Sequence, residues 1–280
     1  IFDTKKLGYK SSLVAFEIEE KDIPNAVKIL NSHPGISHNY ERNHSFNIWF
    51  TIAVAPNSNL GLEKSIEILA KKTNAKNYII LPTLKLFKIS VKLDTTNKEE
   101  KQEKLIQKSF TNLDLSEYHY KFIKLLQQDI EFKSEPFKFI VDQLNISYDE
   151  LFKIIQEFIN SGVMRRFASI LNHRKAGFSA NAMVVWDIDE KKSQDIGEIA
   201  ASFSAVSHCY LRPQYPNWKY NLFTMIHGKT EDDTQKTIED IANKIEYRDK
   251  MALYSSKEFK KVRIIYFSDE FENWEKENNN

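Results

Sequence analysis

The chain has 280 residues, 41% of them hydrophobic, with 40 Lys and Arg against 39 Asp and Glu and a formal charge of +1. That size supports about two hydrophobic cores, while the near-neutral balance excludes a global electrostatic pull toward nucleic acid or anionic membrane, so any basic site must be local. One cysteine, Cys209, excludes an internal disulfide framework and an all-cysteine metal centre; no apolar run nears the ~18 residues of a membrane helix and no secretion signal opens the chain, so a cytoplasmic location is expected.

In chain order, residues 11–18 are β-rich. Residues 22–32 set Ile23, Ala26, Val27 and Leu30 on one helical face, with Asp22 as cap, Pro24 in the first turn and His33-Pro34-Gly35 as the stop. Residues 36–42 and 46–55 read as neighbouring strands, 60–72 as an amphipathic helix and 78–93 as the closing strand region. A stretch dense in Lys, Glu, Gln and Asn follows, and 94–115 is expected to be a solvated linker. Three helical segments, 116–127, 136–144 and 148–160, end at Ser161-Gly162 and form an expected helix-turn-helix domain over 116–165. Strand, helix, strand, strand, helix and a broken strand then run through 180–188, 193–203, 206–212, 220–227, 231–246 and 251–267, and the polar tail 270–280 is expected to fray.

The second series repeats the first at a spacing of about 170 residues, too long for a solenoid and right for two fused paralogues. Residues 1–10 align with 170–179 through Lys6 and Lys175, Gly8 and Gly177, Tyr9 and Phe178. Ser37, His38, Tyr40 and Arg42 recur with the same spacing as Ser207, His208, Tyr210 and Arg212, and Asn47 to Ile52 recurs as Asn221 to Ile226. Each copy has the βαββαβ order of a ferredoxin-like split unit, which covers one sheet face with helices and leaves the other for a partner. The expected fold is therefore α+β: ferredoxin-like domains over 1–93 and 166–269 with the helix-turn-helix domain between them. The first copy opens at Ile1 without a helical unit of its own, which predicts roughly fifty residues upstream by analogy with the second.

Strand alternation sends His38, Tyr40 and Arg42 to one face, and likewise His208, Tyr210 and Arg212, uniting imidazole, phenol and guanidinium. Recurrence in both copies favours a functional role over isolated structural hydrogen bonds. Arg165-Arg166 and His173-Arg174-Lys175 are local cations suited to carboxylate or phosphate, the plainer alternative for Arg165 or Arg166 being a helix cap. Tyr215, Trp218 and Tyr220 can cover a flat ligand or pack a core. No Cys or carboxylate cluster accompanies the histidines at the spacing of a zinc site, whereas a haem-type iron needs one or two axial ligands.

Gly162-Val-Met-Arg-Arg-Phe-Ala-Ser-Ile-Leu-Asn-His-Arg-Lys-Ala-Gly-Phe178, Asn181-Ala-Met-Val-Val-Trp186 and the run from His208-Cys-Tyr to Ile226-His-Gly228 closely resemble the siroheme decarboxylases. The first copy resembles the partner subunit through residues 1–9, Ser37-His-Asn-Tyr40 and Asn47-Ile-Trp-Phe-Thr51. Generic Lrp/AsnC regulators share the architecture without the His-Cys-Tyr to His-Gly segment. The resemblance implies removal of carbon dioxide from two acetate side chains of siroheme, giving 12,18-didecarboxysiroheme on a route to haem b or haem d1. It implies no cofactor beyond the substrate's own iron, and a pseudo-dimer of the two halves that can assemble further. His208 and Tyr210 are then the expected acids, with His38 and Tyr40 as counterparts; Arg165, Arg166, His173, Arg174 and Arg212 are expected on carboxylates, and Tyr215, Trp218 and Tyr220 on the macrocycle. His227 is expected on the iron, with Ala53 as its first-copy counterpart.

The rival readings are a ligand-sensing Lrp/AsnC-like regulator and a non-catalytic interaction subunit. A regulator needs a basic reading helix, yet residues 148–159 set Asp149, Glu150 and Glu157 against Lys153 alone. No DNA partner and no membrane partner is expected. In a gel-shift titration with duplex DNA at ~0.15 M salt, no retarded band should form, since about one phosphate contact gives too little counterion release.

Overall fold

The computed structural model describes residues 1–89, 110–167 and 180–279. In the first copy, β1 (Lys10–Glu17), α1 (Ile23–Ser32), β2 (Ile36–Arg42), β3 (Ile48–Val54), α2 (Gly61–Lys72) and β4 (Asn77–Leu81) follow the expected order. Pro24 sits in the first turn of α1, where its missing N–H costs no helical bond. The closing region is not one strand: after Pro82, which cannot donate to a ladder, the chain resumes as β5 (Lys85–Ile89) beside a different partner. The proposed linker is described only from residue 110 onward.

Three helices follow, α3 (Glu117–Leu126), α4 (Lys138–Leu144) and α5 (Tyr148–Ser161). Asn145 ends α4 in the left-handed region at φ 51°; Ser147 and Glu150 then form a reciprocal cap on α5, and Gly162 closes it at φ 71°. The second copy comprises β6 (Ala180–Asp187), α6 (Ser193–Ser202), β7 (Val206–Leu211), β8 (Leu222–Gly228), α7 (Glu231–Ala242) and β9 (Asp249–Lys261). The last strand, expected to be broken, runs unbroken for 13 residues.

The strands form one antiparallel sheet in the order β4-β1-β3-β2-β9-β6-β8-β7-β5. Its centre is a reciprocal exchange. The first half of β9 pairs with β6 of its own copy, and the second half crosses to pair with β2 of the other. In the same way β4 pairs with β1 and β5 crosses to β7. Since Pro82-Thr83-Leu84 joins the two ends of the strand order, the sheet returns on itself through the chain. Phe87 of β5 lies so close to Gly197 of α6 that a methyl group there would overlap its ring.

The helices cover the outer faces. Phe16, Leu30, Phe50 and Ile66 fill the core of the first copy, and Val184, Trp186, Ala200 and Ile241 that of the second. The opposite faces meet each other, as the uncovered sheet face required: Ala15, Trp49, Ile79 and Leu81 pack with Met183, Val185, Phe223 and Leu253. α3, α4 and α5 share a further core with Phe2, Leu7, Tyr9 and Ala53 of the first copy, and the bridge between Phe2 and Met164 fixes that docking. No described helix is long and apolar enough to cross a membrane.

The polar tail is ordered, contrary to the expected fraying. It forms α8 (Glu270–Asn278), which buries Phe271 and Trp274, and the Trp274 ring lies 4.3 Å from that of His33. Two aromatic residues three apart give one helical face enough apolar area to dock, whatever the charge of the other face. Trp274→Ala should therefore destabilise the first copy by about 3 kcal/mol or more, read as a lower unfolding midpoint in urea.

Candidate functional site

The two central strands carry matching stacks. The His38 and Tyr40 rings are 6.2 Å apart with an interplanar angle of 30°, and Arg42 lies over Tyr40 at 5.7 Å. In the second copy His208 and Tyr210 are 6.1 Å apart at 25°, and Arg212 lies over Tyr210 at 4.8 Å. The alternation expected from sequence thus holds in both. Tyr210 packs against the core shared by the two copies, so the stacks face the interior between them.

A register shift between Val206 and His208 against β8 brings Ser207 into reach of the histidine side of the strand, and Ile36/His38 shows the same shift. The Ser207 hydroxyl lies 2.7 Å from His208 Nδ1 and 2.8 Å from His227 Nε2, and His227 Nδ1 lies 2.5 Å from Asn181 Oδ1. In the first copy Ser37 is 2.9 Å from His38 Nδ1, but its other partner is the Thr51 hydroxyl at 2.9 Å. Ladder register makes Ser11 and Ala53 the counterparts of Asn181 and His227.

Charge gathers at this end of the sheet. Burial, followed by the charges of His227, Arg165, His38 and Arg166, pushes His208 down to about 4. His38 is lowered too, by burial and then by Lys261, with Glu258 opposing. Burial raises Tyr210, and Arg212 and Arg165 draw it back. Arg165 and Arg166 are exposed, but their backbone is pinned: Arg165 N–H donates to the Ile1 carbonyl and the Ile1 nitrogen to the Arg166 carbonyl, both at 2.8 Å. Arg165 Nε also meets Asp3 Oδ2 at 3.2 Å. Neither arginine caps α5, whose end is closed by Gly162.

Several expected site residues have surroundings other than those expected. Arg212 is not a rim cation: it is 8% exposed, its Nη1 donates to the Leu81 carbonyl of the other copy, and burial lowers it to about 10. Arg42 is its twin, donating to the Leu253 carbonyl at 2.7 Å. Both hold the strand exchange together. Trp218 is 2% exposed and packs on Trp49 at 5.3 Å and Tyr220 at 5.3 Å; Tyr215 donates to the Ile80 carbonyl and Tyr220 to Asp249. Leu211 pairs with Leu222, so the loop bearing these aromatics lies beyond the end of β7 remote from His208, where it forms core. His227 has both ring nitrogens in hydrogen bonds, an arrangement unlike a free axial ligand. His173 and Arg174 lie outside the described residues.

Sequence reasoning passed over Ser207, Ser37, Asn181 and Lys261. The serines were visible as part of the repeat, but strict alternation assigns them to the opposite face, and only the register shift undoes that. A groove lined by Asn31, Pro34, Lys260, Val262 and Arg263 contains none of the paired histidines.

A family model described as the AsnC-like ligand binding domain matches residues 6–88 and 175–260. A siroheme decarboxylase of Hydrogenobacter thermophilus is 39% identical over 277 residues, 99% of this chain and 82% of its own length. The siroheme decarboxylase beta subunit of Methanosarcina barkeri is 40% identical over 144 residues, 51% of this chain and 95% of its own. Among solved structures, the siroheme decarboxylase NirDL superposes with a TM-score of 0.77 at 34% identity, covering 100% of this chain and 81% of that one. NirDL in co-complex with an iron-uroporphyrin III analogue gives the same TM-score at 33% identity and the same coverage.

His208 has a folded value of about 4 against an ordinary 6.5, so its contribution to stability is complete above pH 6.5 and is lost as pH falls toward 4. His33, at about 3 through burial and then Lys260, acts in the same direction. Urea midpoints should therefore drop between pH 7 and pH ~4.5, and His208→Asn should flatten part of that slope.

Proposed function

The chain belongs to the siroheme decarboxylases, on an AsnC-like ligand-binding scaffold, and from that footing we propose that the end of the interior where the two histidine stacks converge receives siroheme and removes carbon dioxide from two of its acetate side chains. The product is 12,18-didecarboxysiroheme, a precursor of haem b or haem d1. The observation that carries this site assignment is the convergence of His208, His38, His227, Arg165 and Arg166 at one end of the interior. Siroheme is a flat, iron-bearing polycarboxylate, so it calls for cations at the rim, apolar walls and imidazole within.

Arg165 and Arg166 bind carboxylates, with His173 and Arg174 in the same role from sequence. The Asp3 contact and the backbone pairing with Ile1 hold the Arg165 fork in place, which reduces the entropy lost on binding. As each C–C bond breaks, the electron pair remains on the acetate methylene, the macrocycle helps disperse it, and a placed acid completes the C–H bond. His208 and Tyr210 stand for that protonation. Ser37 and Ser207 engage Nδ1 of their histidines, so it is Nε2 of His38 and of His208 that is left to face a ligand. We assign His38 to the iron and His208 to the proton, in place of His227 on the iron; Tyr40 supports His38 as Tyr210 supports His208.

The chain takes no cofactor beyond the iron its substrate brings, and works in the cytoplasm as a pseudo-dimer that can associate further. α3, α4 and α5 form a helix-turn-helix unit that braces the first copy rather than reading DNA.

Anaerobic incubation of the purified chain with siroheme, followed by mass analysis of the extracted tetrapyrrole, should reveal loss of two carbon dioxide units. His208→Ala should slow that loss by about a hundredfold or more. Siroheme recovered bound but intact after prolonged incubation would sink the assignment and favour a sensor.

A further inference from the structure

Resting on that reading, we propose that His227, fixed by Asn181 and acting through the Ser207 hydroxyl, is the proton store that makes His208 an acid, and that the first copy has no equivalent. The geometry is a line of three short hydrogen bonds, from Asn181 to His227 to Ser207 to His208, at 2.5, 2.8 and 2.7 Å. Ser207 is 3% exposed, so bulk water does not compete for its single proton, and its other acceptor, the Met225 carbonyl, lies farther off at 3.3 Å than His208 Nδ1.

A chemical difficulty makes such a line useful. His208 faces His227 from β8, His38 from β2, and Arg165 and Arg166 from the segment after α5; these neighbours and burial keep it neutral near pH 7. A neutral imidazole gives up its Nε2 proton readily only when another arrives at Nδ1. The relay supplies that proton. Before the step, His227 is an imidazolium: Nδ1–H donates to Asn181 Oδ1, Nε2–H donates to Ser207 Oγ, and the Ser207 hydroxyl donates to His208 Nδ1.

The acetate C–C bond then breaks, carbon dioxide departs, and the electron pair left on the methylene carbon takes the Nε2 proton of His208 to form C–H. In the same movement His208 Nδ1 takes the Ser207 proton and Ser207 takes that of His227 Nε2, which ends as neutral imidazole with its Nδ1–H still on Asn181. One proton is consumed per carbon dioxide released; solvent returns it at His208 Nε2, and the line runs back through Ser207 to leave the charge on His227. Every hydrogen bond in the line survives the step with its direction reversed only where a proton has moved. Asn181 therefore keeps one orientation throughout.

The first copy lacks this device. Behind His38, Ser37 leads to the Thr51 hydroxyl, which carries no titratable proton, and Ser11 and Ala53 stand where Asn181 and His227 would be. The twin histidines thus differ in what stands behind them.

The test uses the full chain, with histidine ring nitrogens labelled for NMR and siroheme turnover followed anaerobically. His227→Gln and Ser207→Ala should each lower kcat by about a hundredfold while KM changes by less than about twofold, and Ser207→Thr, which keeps the hydroxyl, should recover most of the loss. Wild-type kcat should fall as rising pH deprotonates His227, and that limb should vanish in His227→Gln. In the ligand-free chain, His227→Gln should shift the balance of protonated Nδ1 and Nε2 at His208. Unchanged kcat and pH profile in His227→Gln would overturn the relay, as would loss of the iron's histidine-bound absorption with His208 signals unaltered. If the wild type itself fails to turn over siroheme, the functional reading falls first, and the ligand-free spectra still decide whether His227 is coupled to His208.

Discussion

Two strands change partners, and the rest of the molecule follows from that exchange. Because β9 crosses to β2 and β5 crosses to β7, the strands bearing the histidines are interior members of one sheet instead of exposed edges. The crossings are secured by a matched pair of buried guanidiniums, Arg42 on the Leu253 carbonyl and Arg212 on the Leu81 carbonyl. Burying a charged fork is costly, and the Nε of each arginine is buried without a hydrogen-bond partner among the described residues. Here each arginine also lies over the tyrosine of its own stack, so one side chain fixes both the seam and the ring beside the histidine.

The frame is nearly symmetric, and its occupation is not. In the first copy the position opposite Ser11 is Ala53, which joins the apolar core that receives α3, α4 and α5 together with Phe2, Leu7 and Tyr9. An imidazole at that place would need polar partners inside a hydrocarbon core. In the second copy the same ladder position holds His227, and its neighbour across the ladder is Asn181, able to accept from Nδ1. Docking the helical unit on one copy thus coincides with a polar network in the other.

Much of this was legible in the sequence, for identifiable reasons. The duplication of Ser-His-x-Tyr-x-Arg marked equivalent strands, and period-two spacing placed His208, Tyr210 and Arg212 on one face. Alternation says which residues share a face and nothing about what that face meets, so it could not tell the buried seam role of Arg212 from a rim role. The same limit applied to Trp218, whose aromatic surface suited a ligand and a core equally. Strand exchange leaves no periodic trace at all: residues 78–93 keep their β-rich composition across Pro82, although the partner changes there. Ser207 escaped because one irregular pairing moves it to the other side, and α8 because its many charges masked Phe271 and Trp274.

The exchange also has a consequence for the order in which the chain is made. β2 ends at Arg42, yet the strand that covers its outer edge ends at Lys261, so 219 further residues must be synthesised before that edge can be paired. At about 5–20 residues per second, the first half waits on the order of ten seconds or more with an open edge strand and an uncovered inner face. A nascent chain in that state is a target for pairing with another like it, between neighbouring ribosomes on one message. The charged Glu41 and Arg42 at the end of β2 are the kind of side chains that discourage such pairing until the correct strand arrives.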